Sequence, residues 1–149
     1  MSKVLIASDH AGLPGKETVK KTLDQLGIAY EDLGTHSQDS VDYPDYAEQV
    51  ARRVAEGEAE RGVLVCGSGI GMEIAANKIP GIRAALAWSE ETAKLSREHN
   101  DANILAVGSR TTPQDTIEQI TRAFMTTEFA GGRHAQRIEK IKNLEQHKD

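Results

Sequence analysis

The sequence predicts an α/β protein built on a parallel sheet that helices cover on both faces. Two observations support this class: short apolar segments bounded by glycine or polar residues recur along the chain, and segments with helical periodicity separate them. This alternation is typical of parallel strands joined by helical crossovers. No repeat, low-complexity tract or Pro/Ser-rich linker interrupts it, so residues 1–149 are expected to form a single domain.

The predicted elements follow from this alternation in chain order. The five predicted strands are short and mostly apolar, and they cover residues 4–7, 28–30, 62–66, 82–87 and 103–107. The helical patterns that separate and follow them cover residues 12–26, 43–57, 70–78, 89–98 and 113–126. A last, charged helix is expected from about residue 134 to residue 146.

Composition excludes several classes of function. The net charge of -5 and the pI near 5.6 argue against a surface-wide nucleic-acid footprint, so any anion site must be built locally. The six aromatic residues form no stacking platform within a basic stripe, which also argues against nucleic-acid binding as the function. The apolar run at residues 4–7 is too short for a signal or a membrane span, so a soluble, cytoplasmic protein is predicted.

The cysteine and histidine content predicts neither a disulfide nor a metal site. The single cysteine, Cys66, cannot form an internal disulfide. No His-Glu-x-x-His or Cys-x-x-Cys spacing occurs, so we predict no metal. The histidines are scattered, at His10, His36, His99, His134 and His147.

Polar segments follow three of the predicted strands, where ligands collect in open α/β sheets. These segments are Ser8–Gly12, Cys66–Gly71 and Gly108–Arg110, while Glu98–Asp101 closes the helix before the fifth strand. The loops at the carboxyl ends of strands face helix N-termini, whose free N–H groups attract anions. A binding site is therefore expected among these four segments.

The turn Gly67-Ser68-Gly69-Ile70-Gly71 can bring backbone N–H groups close to a phosphate or a developing oxyanion. It is not the dinucleotide fingerprint, because Met72 stands where the third glycine would be needed. It is not a Walker loop either, because no Gly-Lys-Ser/Thr follows. The alternative is a tight strand-to-helix connection without a ligand.

Cys66 ends the strand that feeds this turn, where a helix N-terminus would favour the thiolate. A thiolate there could act as a nucleophile or a base. The alternative is a buried cysteine that fills the core as a small hydrophobic residue. Its position beside the glycine turn favours the functional interpretation.

Two histidine-containing pairs are further candidates. Asp9 and His10 follow the first strand, at the rim where a ligand is expected, although Asp9 could simply cap a helix. His99 and Asn100 end a helix, where a cationic histidine is favoured by the dipole and an asparagine can adopt the left-handed cap conformation. Both interpretations of each pair remain open at this stage.

Arg133 and Arg137 lie four residues apart at the start of the last helix, on one face. Positive charge at a helix N-terminus opposes the macrodipole unless an anion is held there. The pair therefore indicates a phosphate site. A solvated charged face is the alternative, since the rest of this helix is polar.

Seven motifs in this order, spread over residues 3 to about 145, resemble the ribose-5-phosphate isomerase B family. They are Ser8–Gly12, Asp42–Pro44, Cys66–Gly71, Ile74–Lys78, Arg97–Asn100, Gly108–Arg110 and Gly131–His134. The resemblance implies a three-layer α/β/α, Rossmann-like fold and a homodimer whose active sites are completed by both subunits. It implies a cofactor-free aldose–ketose isomerase of the pentose phosphate pathway, acting on ribose 5-phosphate and ribulose 5-phosphate. Allose-6-phosphate and galactose-6-phosphate isomerases share much of the pattern.

The resemblance also implies roles for individual residues. The family's base is a cysteine at the position of Cys66 or, in another subgroup, a glutamate just inside the next helix. Met72 stands at that second position, and neighbouring Glu73 leaves an ambiguity of one residue. With Cys66 as the base, the Ser68 hydroxyl and backbone N–H groups of Gly67, Gly69, Ile70 and Gly71 would hold the oxyanion.

The remaining roles come from the resemblance as well. His99 would assist ring opening, Asp9 would handle hydroxyl protons, and Asn100 and Tyr43 would orient the intermediate. The phosphate would be bound by His10, Arg110, Arg133 and Arg137, with His134 as a neighbour, through charge-assisted hydrogen bonds. Two alternatives stay open: a six-carbon sugar-phosphate isomerase, and a non-catalytic sugar-phosphate or nucleotide-binding module.

Overall fold

The structure is a computed structural model that describes residues 2–146; Met1 and residues 147–149, which include His147, lie outside the described part. The strands are β1 Val4–Ser8, β2 Tyr30–Asp32, β3 Gly62–Cys66, β4 Ala84–Leu86 and β5 Ile104–Gly108. The helices are α1 Leu13–Leu26, α2 Tyr43–Ala55, α3 Ile70–Ala76, α4 Glu90–Glu98, α5 Gln114–Thr126 and α6 Arg133–Leu144. A 3₁₀ turn, His10–Gly12, leads into α1.

The strands form one parallel sheet in the order β2-β1-β3-β5-β4, and helices cover both of its faces. Because side chains alternate along a strand, Val4 and Ile6 of β1 join the core beneath α1, α4 and α5. Leu5 and Ala7 join the core beneath α2 and α3. The three-layer α/β/α class is therefore confirmed.

The second strand lies two residues beyond its predicted position, at Tyr30–Asp32 instead of residues 28–30. Gly27 ends α1 in the left-handed conformation with φ 71°, and Ile28 still bonds back to Leu23, so the chain straightens only at Tyr30. As an edge strand, β2 carries two charged residues, Glu31 and Asp32, which a search for apolar segments does not find.

The other edge strand, β4, is protected by side chains of α3. The amide of Asn77 accepts from Ala84 N at 2.8 Å and donates to Ala84 O at 2.9 Å. The carboxylate of Glu73 accepts from Leu86 N at 2.6 Å. Glu73 of α3 and Asn77, which caps its C-terminal end, thus satisfy backbone groups that an unpaired sheet edge would leave exposed.

The topology gives the sheet two functionally distinct ends. From β1 the chain passes to β2 on one side and to β3 on the other, so a crevice opens between the carboxyl ends of β1 and β3. The helices α4 and α5 return the chain to the opposite, amino edge. There Arg61, just before β3, donates to the carbonyls of Phe124 and Met125 near the end of α5.

Helix α6 starts at the amino edge, and its side chains Ile141 and Leu144 line a cavity together with Ala84 and Ala85 of β4. Its buried side chain is Ile138, and the carboxylate of Glu145 just beyond it accepts from Gly81 N at 3.0 Å. Within residues 2–146, none of the helices is both long enough and apolar enough to cross a membrane.

Candidate active site

A cavity of about 490 Å³ opens in the crevice between the carboxyl ends of β1 and β3. Nine predicted site residues line it: Asp9, His10, Tyr43, Cys66, Gly67, Ser68, Ile70, Gly71 and Arg110. Residues from β1, α2, β3, α3 and the connection after β5 are thereby brought together from distant parts of the sequence.

Cys66 lies at the floor of this cavity, at the end of β3, and is 5% exposed. Its Sγ accepts a hydrogen bond from Gly69 N at 3.1 Å. A backbone N–H that points at sulfur stabilises negative charge there. The side chain also belongs to the core beneath α2 and α3, so Cys66 both packs and faces the cavity.

Glycine is required at two positions of the turn that follows. Gly69 has φ 80°, and a Cβ there would lie 2.6 Å from Leu86 Cδ1. A Cβ on Gly71 would lie 2.5 Å from the Tyr43 ring, so the absence of a side chain lets Tyr43 pack directly on the turn. The hydroxyl of Ser68 accepts from Ile70 N at 3.2 Å.

Asp9 is 6% exposed and caps the 3₁₀ turn, its Oδ1 accepting from Gly12 N at 2.9 Å. The capping interpretation of Asp9 is therefore correct for one carboxylate oxygen. The residue nevertheless lines the cavity beside Cys66.

His10 and Arg110 form the boundary between this cavity and a second one of about 530 Å³. Nδ1 of His10 accepts from Val41 N at 3.2 Å. Arg110 is exposed; its backbone N–H donates to Gly67 O, and its guanidinium has no ion-pair or hydrogen-bond partner among residues 2–146. Both groups can therefore offer hydrogen-bond donors to a ligand.

Of the six other predicted site residues, Gly69 lies in the turn and donates its N–H to Cys66. The remaining five lie together at the amino edge of the sheet: His99, Asn100, Arg133, His134 and Arg137. We call them the amino-edge cluster. The rings of His99 and His134 stack, with centroids 4.3 Å apart and planes 17° apart. Ala130 N bonds to Glu98 O at 3.1 Å, which fixes the start of α6 against the end of α4. The structure does not bring this cluster to Cys66 within one chain.

At the end of α4, the left-handed conformation that the sequence allowed for Asn100 is found one residue later. Asp101, with φ 47°, adopts the left-handed conformation. Its carboxylate accepts from Arg97 at 2.9 Å, which holds the connection between α4 and β5 in place.

The amino-edge cluster is electropositive. Partial burial lowers the pKa of His134 below 6.5, and the charges of His99, Arg133 and Arg137 lower it further, against an opposing effect of Glu98. Arg133 and Arg137 are exposed at the start of α6. Neither has an ion-pair partner in the part of the chain that the structure describes.

Comparison with known proteins identifies the family and supports the fold. The model of the ribose/galactose isomerase family matches residues 4–141. The chain belongs to this family. Ribose-5-phosphate isomerase B of Escherichia coli (strain K12) is 43% identical over 149 residues, which cover 100% of both chains.

Two solved structures of the family have the same fold over nearly their whole length. Ribose-5-phosphate isomerase B of Clostridium thermocellum has a TM-score of 0.94 at 47% identity and covers 97% of each chain. The enzyme of Mycoplasma genitalium, solved with bound ribulose-5-phosphate, has a TM-score of 0.93 at 39% identity and covers 98% of this chain and 97% of its own.

Within the family pattern, the geometry favours Cys66 over Glu73 as the base. Met72 is fully buried, and the Glu73 carboxylate is bound to the edge of β4 at Leu86 N. Glu73 also lines a different cavity, between α3, β4 and α6. A carboxylate held there does not face the sulfur of Cys66.

Sequence reasoning missed two residues that line the cavity, Ala11 and Ile74, and one backbone donor at its rim, Val41. Ile74 lines it and is 56% exposed, one helical turn after Ile70, and this spacing could have indicated a shared face. The Val41 N–H, which holds His10, lies 31 residues away in sequence, and no residue-type pattern marks a backbone donor.

Proposed function

We propose that this chain is an aldose–ketose isomerase that interconverts ribose 5-phosphate and ribulose 5-phosphate, a reaction of the pentose phosphate pathway. The observation that carries the proposal is the Cys66 sulfur at the floor of the cleft, beside Asp9 and the glycine turn. Family membership supports the reaction type. The names of the relatives, and the ribulose-5-phosphate bound to one of them, support the substrate.

Cys66 serves as the base in this proposal. With the sugar open, its thiolate removes the proton from C2; the C–H electron pair forms the C1–C2 double bond, and the aldehyde electron pair moves to O1. A proton then passes from the O2 hydroxyl to O1. The Cys66 thiol returns its proton to C1 as the carbonyl forms at C2, which yields the ketose and regenerates the thiolate.

The developing charge on O1 needs hydrogen-bond donors. Gly67, Ser68 and Gly71 line the same cavity as Cys66, and their backbone N–H groups and the Ser68 hydroxyl are the candidate donors. The N–H groups of Gly69 and Ile70 are already bonded, to the Cys66 sulfur and the Ser68 hydroxyl. The loss of one such donor typically raises the barrier by about 3 to 4 kcal/mol. In this proposal Asp9 exchanges hydroxyl protons and Tyr43 orients the intermediate; both residues line the cavity.

The complete site requires a second copy of the chain. The ends of the five-residue strand β3 lie about 13 Å apart at roughly 3.3 Å per residue, and the amino-edge cluster is beyond the far end. One chain therefore cannot place His99 next to its own Cys66. We propose a homodimer in which each chain's amino-edge cluster closes the other chain's cleft.

Exposed apolar side chains at the cleft support such an interface. Tyr43 is 39% exposed, Ile70 52% and Ile74 56%, and all three border the cavity that holds Cys66. Apolar side chains that remain exposed next to a ligand cavity commonly mark an interaction surface. A partner that covers them would also exclude water from the reacting carbons.

The phosphate would lie between two sets of donors. His10 and Arg110 come from the chain that supplies Cys66, whereas Arg133 and Arg137 come from the second chain. Their binding energy places C1 and C2 relative to the sulfur. Arg133→Ala or Arg137→Ala is therefore expected to raise KM and lower kcat for the phosphorylated sugar, whereas a merely solvated face predicts no kinetic change.

Cys66 must remain reduced to act as the base, and the chain holds no second cysteine with which it could pair. Reducing compartments keep such thiols available. We therefore propose the cytoplasm as the place of action.

Solvent exchange tests the reaction. In heavy water the enzyme is expected to incorporate deuterium at C2 of ribose 5-phosphate or C1 of ribulose 5-phosphate, and a non-catalytic binding module would incorporate none. Cys66→Ala is expected to lose this exchange by a factor on the order of 100 to 10,000, while Glu73→Gln, the matched control, retains it. Normal turnover by Cys66→Ala would show that another group is the base.

The family description, which includes galactose as well as ribose, favours a six-carbon sugar phosphate as the second candidate substrate. The ratio of kcat/KM for ribose 5-phosphate and allose 6-phosphate decides between them. A higher value for allose 6-phosphate would reassign the substrate and leave the mechanism unchanged.

A further inference from the structure

We propose that His10 enters the substrate cleft as a neutral imidazole protonated on Nε2, and that the backbone N–H of Val41 fixes this tautomer. Val41 N lies 3.2 Å from Nδ1 of His10 with the geometry of a hydrogen bond. A backbone amide can only donate, so Nδ1 must present its lone pair. The other neutral tautomer and the imidazolium would both place a hydrogen on Nδ1, facing the hydrogen of Val41.

The hydrogen bond from Val41 N is the interaction that selects the tautomer of His10. Among residues 2–146, Val41 N is the only hydrogen-bond partner of the His10 side chain. The facing titratable groups come from several elements: Asp9, Glu17 of α1, Tyr43 of α2, Cys66 of β3, and Arg110 after β5. The nearest carboxylate in sequence, Asp9, already accepts from Gly12 N.

With Nδ1 occupied, the Nε2–H is the remaining polar group of the ring, and the ring borders both cavities at the carboxyl edge. It can donate to an anionic oxygen of the ligand. Here the inference rests on the proposed function, in which that oxygen belongs to the phosphate of the sugar. His10 then supplies a directed, neutral donor, and Arg110 supplies the charge.

The same hydrogen bond connects two walls of the cleft. Val41 lies in the segment between β2 and α2, and it is followed by Asp42 and by Tyr43, whose ring packs on Gly71. Val41 therefore acts as a positioning residue through its backbone. It orients His10 and holds the segment that leads to Tyr43.

The tautomer is directly measurable in protein labelled with nitrogen-15 at histidine. Long-range proton–nitrogen correlation at neutral pH is expected to show His10 protonated on Nε2 with a lone pair on Nδ1. Val41→Ala keeps the amide and should leave the tautomer unchanged; Val41→Pro removes the donor and should yield a mixture of tautomers. A proton on Nδ1 in the wild-type protein would overturn the proposal, even if Val41→Pro does not fold.

Two substitutions of His10 test its contribution to binding. Glutamine can place an amide N–H near the position of Nε2, whereas asparagine can place an oxygen near Nδ1 but cannot reach the ligand. The affinity for inorganic phosphate is measured by NMR titration. The affinity of His10→Gln should stay within a few-fold of wild type, and the affinity of His10→Asn should fall about tenfold. Wild-type affinity of His10→Asn, or equal loss in both variants, would overturn the proposed donor role.

These measurements are independent of turnover. If the protein isomerises no sugar phosphate, the proposed function fails, but the tautomer of His10 is still read from the spectrum. If the isomerase is active and Nδ1 of His10 carries a proton, only this inference fails.

Discussion

The imidazole of His134 illustrates how neighbouring charges tune a single residue. Its ring stacks on His99, and Arg133 and Arg137 lie on the same first turns of α6. Burial first, and then these positive neighbours, lower the pKa of His134 below 6.5. In the absence of an anion, the folded chain therefore disfavours a proton on His134 near neutral pH.

Removal of a neighbouring charge is expected to shift this pKa in a defined direction. Arg137→Ala should raise the pKa of His134, and Glu98→Gln should lower it further. The pKa of His134 is lower in the folded chain than in the unfolded chain. Its contribution to the free energy of unfolding is therefore fully present above pH 6.5, and it declines as the pH falls from 6.5 towards the folded pKa. NMR titration of the imidazole measures the shifts; an unchanged pKa in Arg137→Ala would contradict the electrostatic account.

At the residue scale, the sequence could predict the chemistry but not every contact. Cys66 and the glycine turn were identifiable because the strand end and the glycines are adjacent in sequence. The hydrogen bond from Val41 to His10 joins residues 31 apart through a backbone amide, which every residue except proline possesses. The residue types in the sequence therefore could not predict this hydrogen bond.

At the edge of β4, side chains form the hydrogen bonds that a neighbouring strand would otherwise provide. Glu73 of α3 binds Leu86 N, and Asn77 at the C-terminal cap of α3 binds both backbone groups of Ala84. An exposed edge strand invites association with other strands, and these side chains block it. The same contact explains why Glu73 is not available as a base in the cleft.

Loss of the Glu73 carboxylate should cost stability rather than catalysis. Glu73→Ala leaves the N–H of Leu86 without its acceptor and is expected to lower the free energy of unfolding by about 1 to 3 kcal/mol. Glu73→Gln keeps an acceptor oxygen and should lose less. Urea denaturation measures both, and kcat at a temperature where both variants are folded should stay near wild type. A collapse of kcat in folded Glu73→Gln would return Glu73 to consideration as the base.

The opposite edge, β2, is held by ion pairs. Glu31 accepts from Arg53 of α2 at 3.0 Å and from Lys3 at 2.5 Å. Hydrogen bonds from Arg53 and then Lys3 lower the pKa of Glu31 to about 2. Charged residues at this edge are also the reason that the apolar pattern placed the strand two residues too early.

The acid sensitivity of the protein should depend on Glu31. Since its folded pKa is depressed, its contribution to stability is present above pH 4.5 and is lost as the pH falls towards about 2. Glu31→Gln should therefore be less stable than wild type at about pH 7, and the difference should shrink at about pH 3. Because Glu31 is partly exposed, added salt should reduce the effect. Urea midpoints at both pH values test this, and a constant difference would contradict it.

At the scale of the whole molecule, the parallel sheet separates the predicted site residues into two groups. The fold class followed from the alternation of elements, because helical crossovers between parallel strands leave few other topologies. The resemblance implied active sites completed by two subunits, but the motifs did not show which residues each subunit supplies. Only the direction of α4 and α5 shows that His99 and Arg137 lie at the edge opposite Cys66.

This division predicts that two inactive variants restore each other. Cys66→Ala lacks the base, and a chain with both Arg133→Ala and Arg137→Ala lacks the second chain's phosphate contacts. In a mixed dimer, one cleft combines an intact Cys66 with intact arginines, and the other cleft carries both defects. Random exchange of subunits in an equal mixture should therefore restore about one quarter of the wild-type sites.

The measurement is kcat per site after the two variants are mixed, unfolded together and refolded. Mixing two preparations of Cys66→Ala provides the control and should restore nothing. The amount of active dimer should also fall on dilution, in step with monomer formation observed by sedimentation, because neither monomer contains a complete site. An equal mixture that stays inactive while mixed dimers are demonstrably present would show that the amino-edge cluster does not complete the partner's cleft. A fully active monomer would instead place every required residue within a single chain, which the distance between the two edges of the sheet does not allow in this fold.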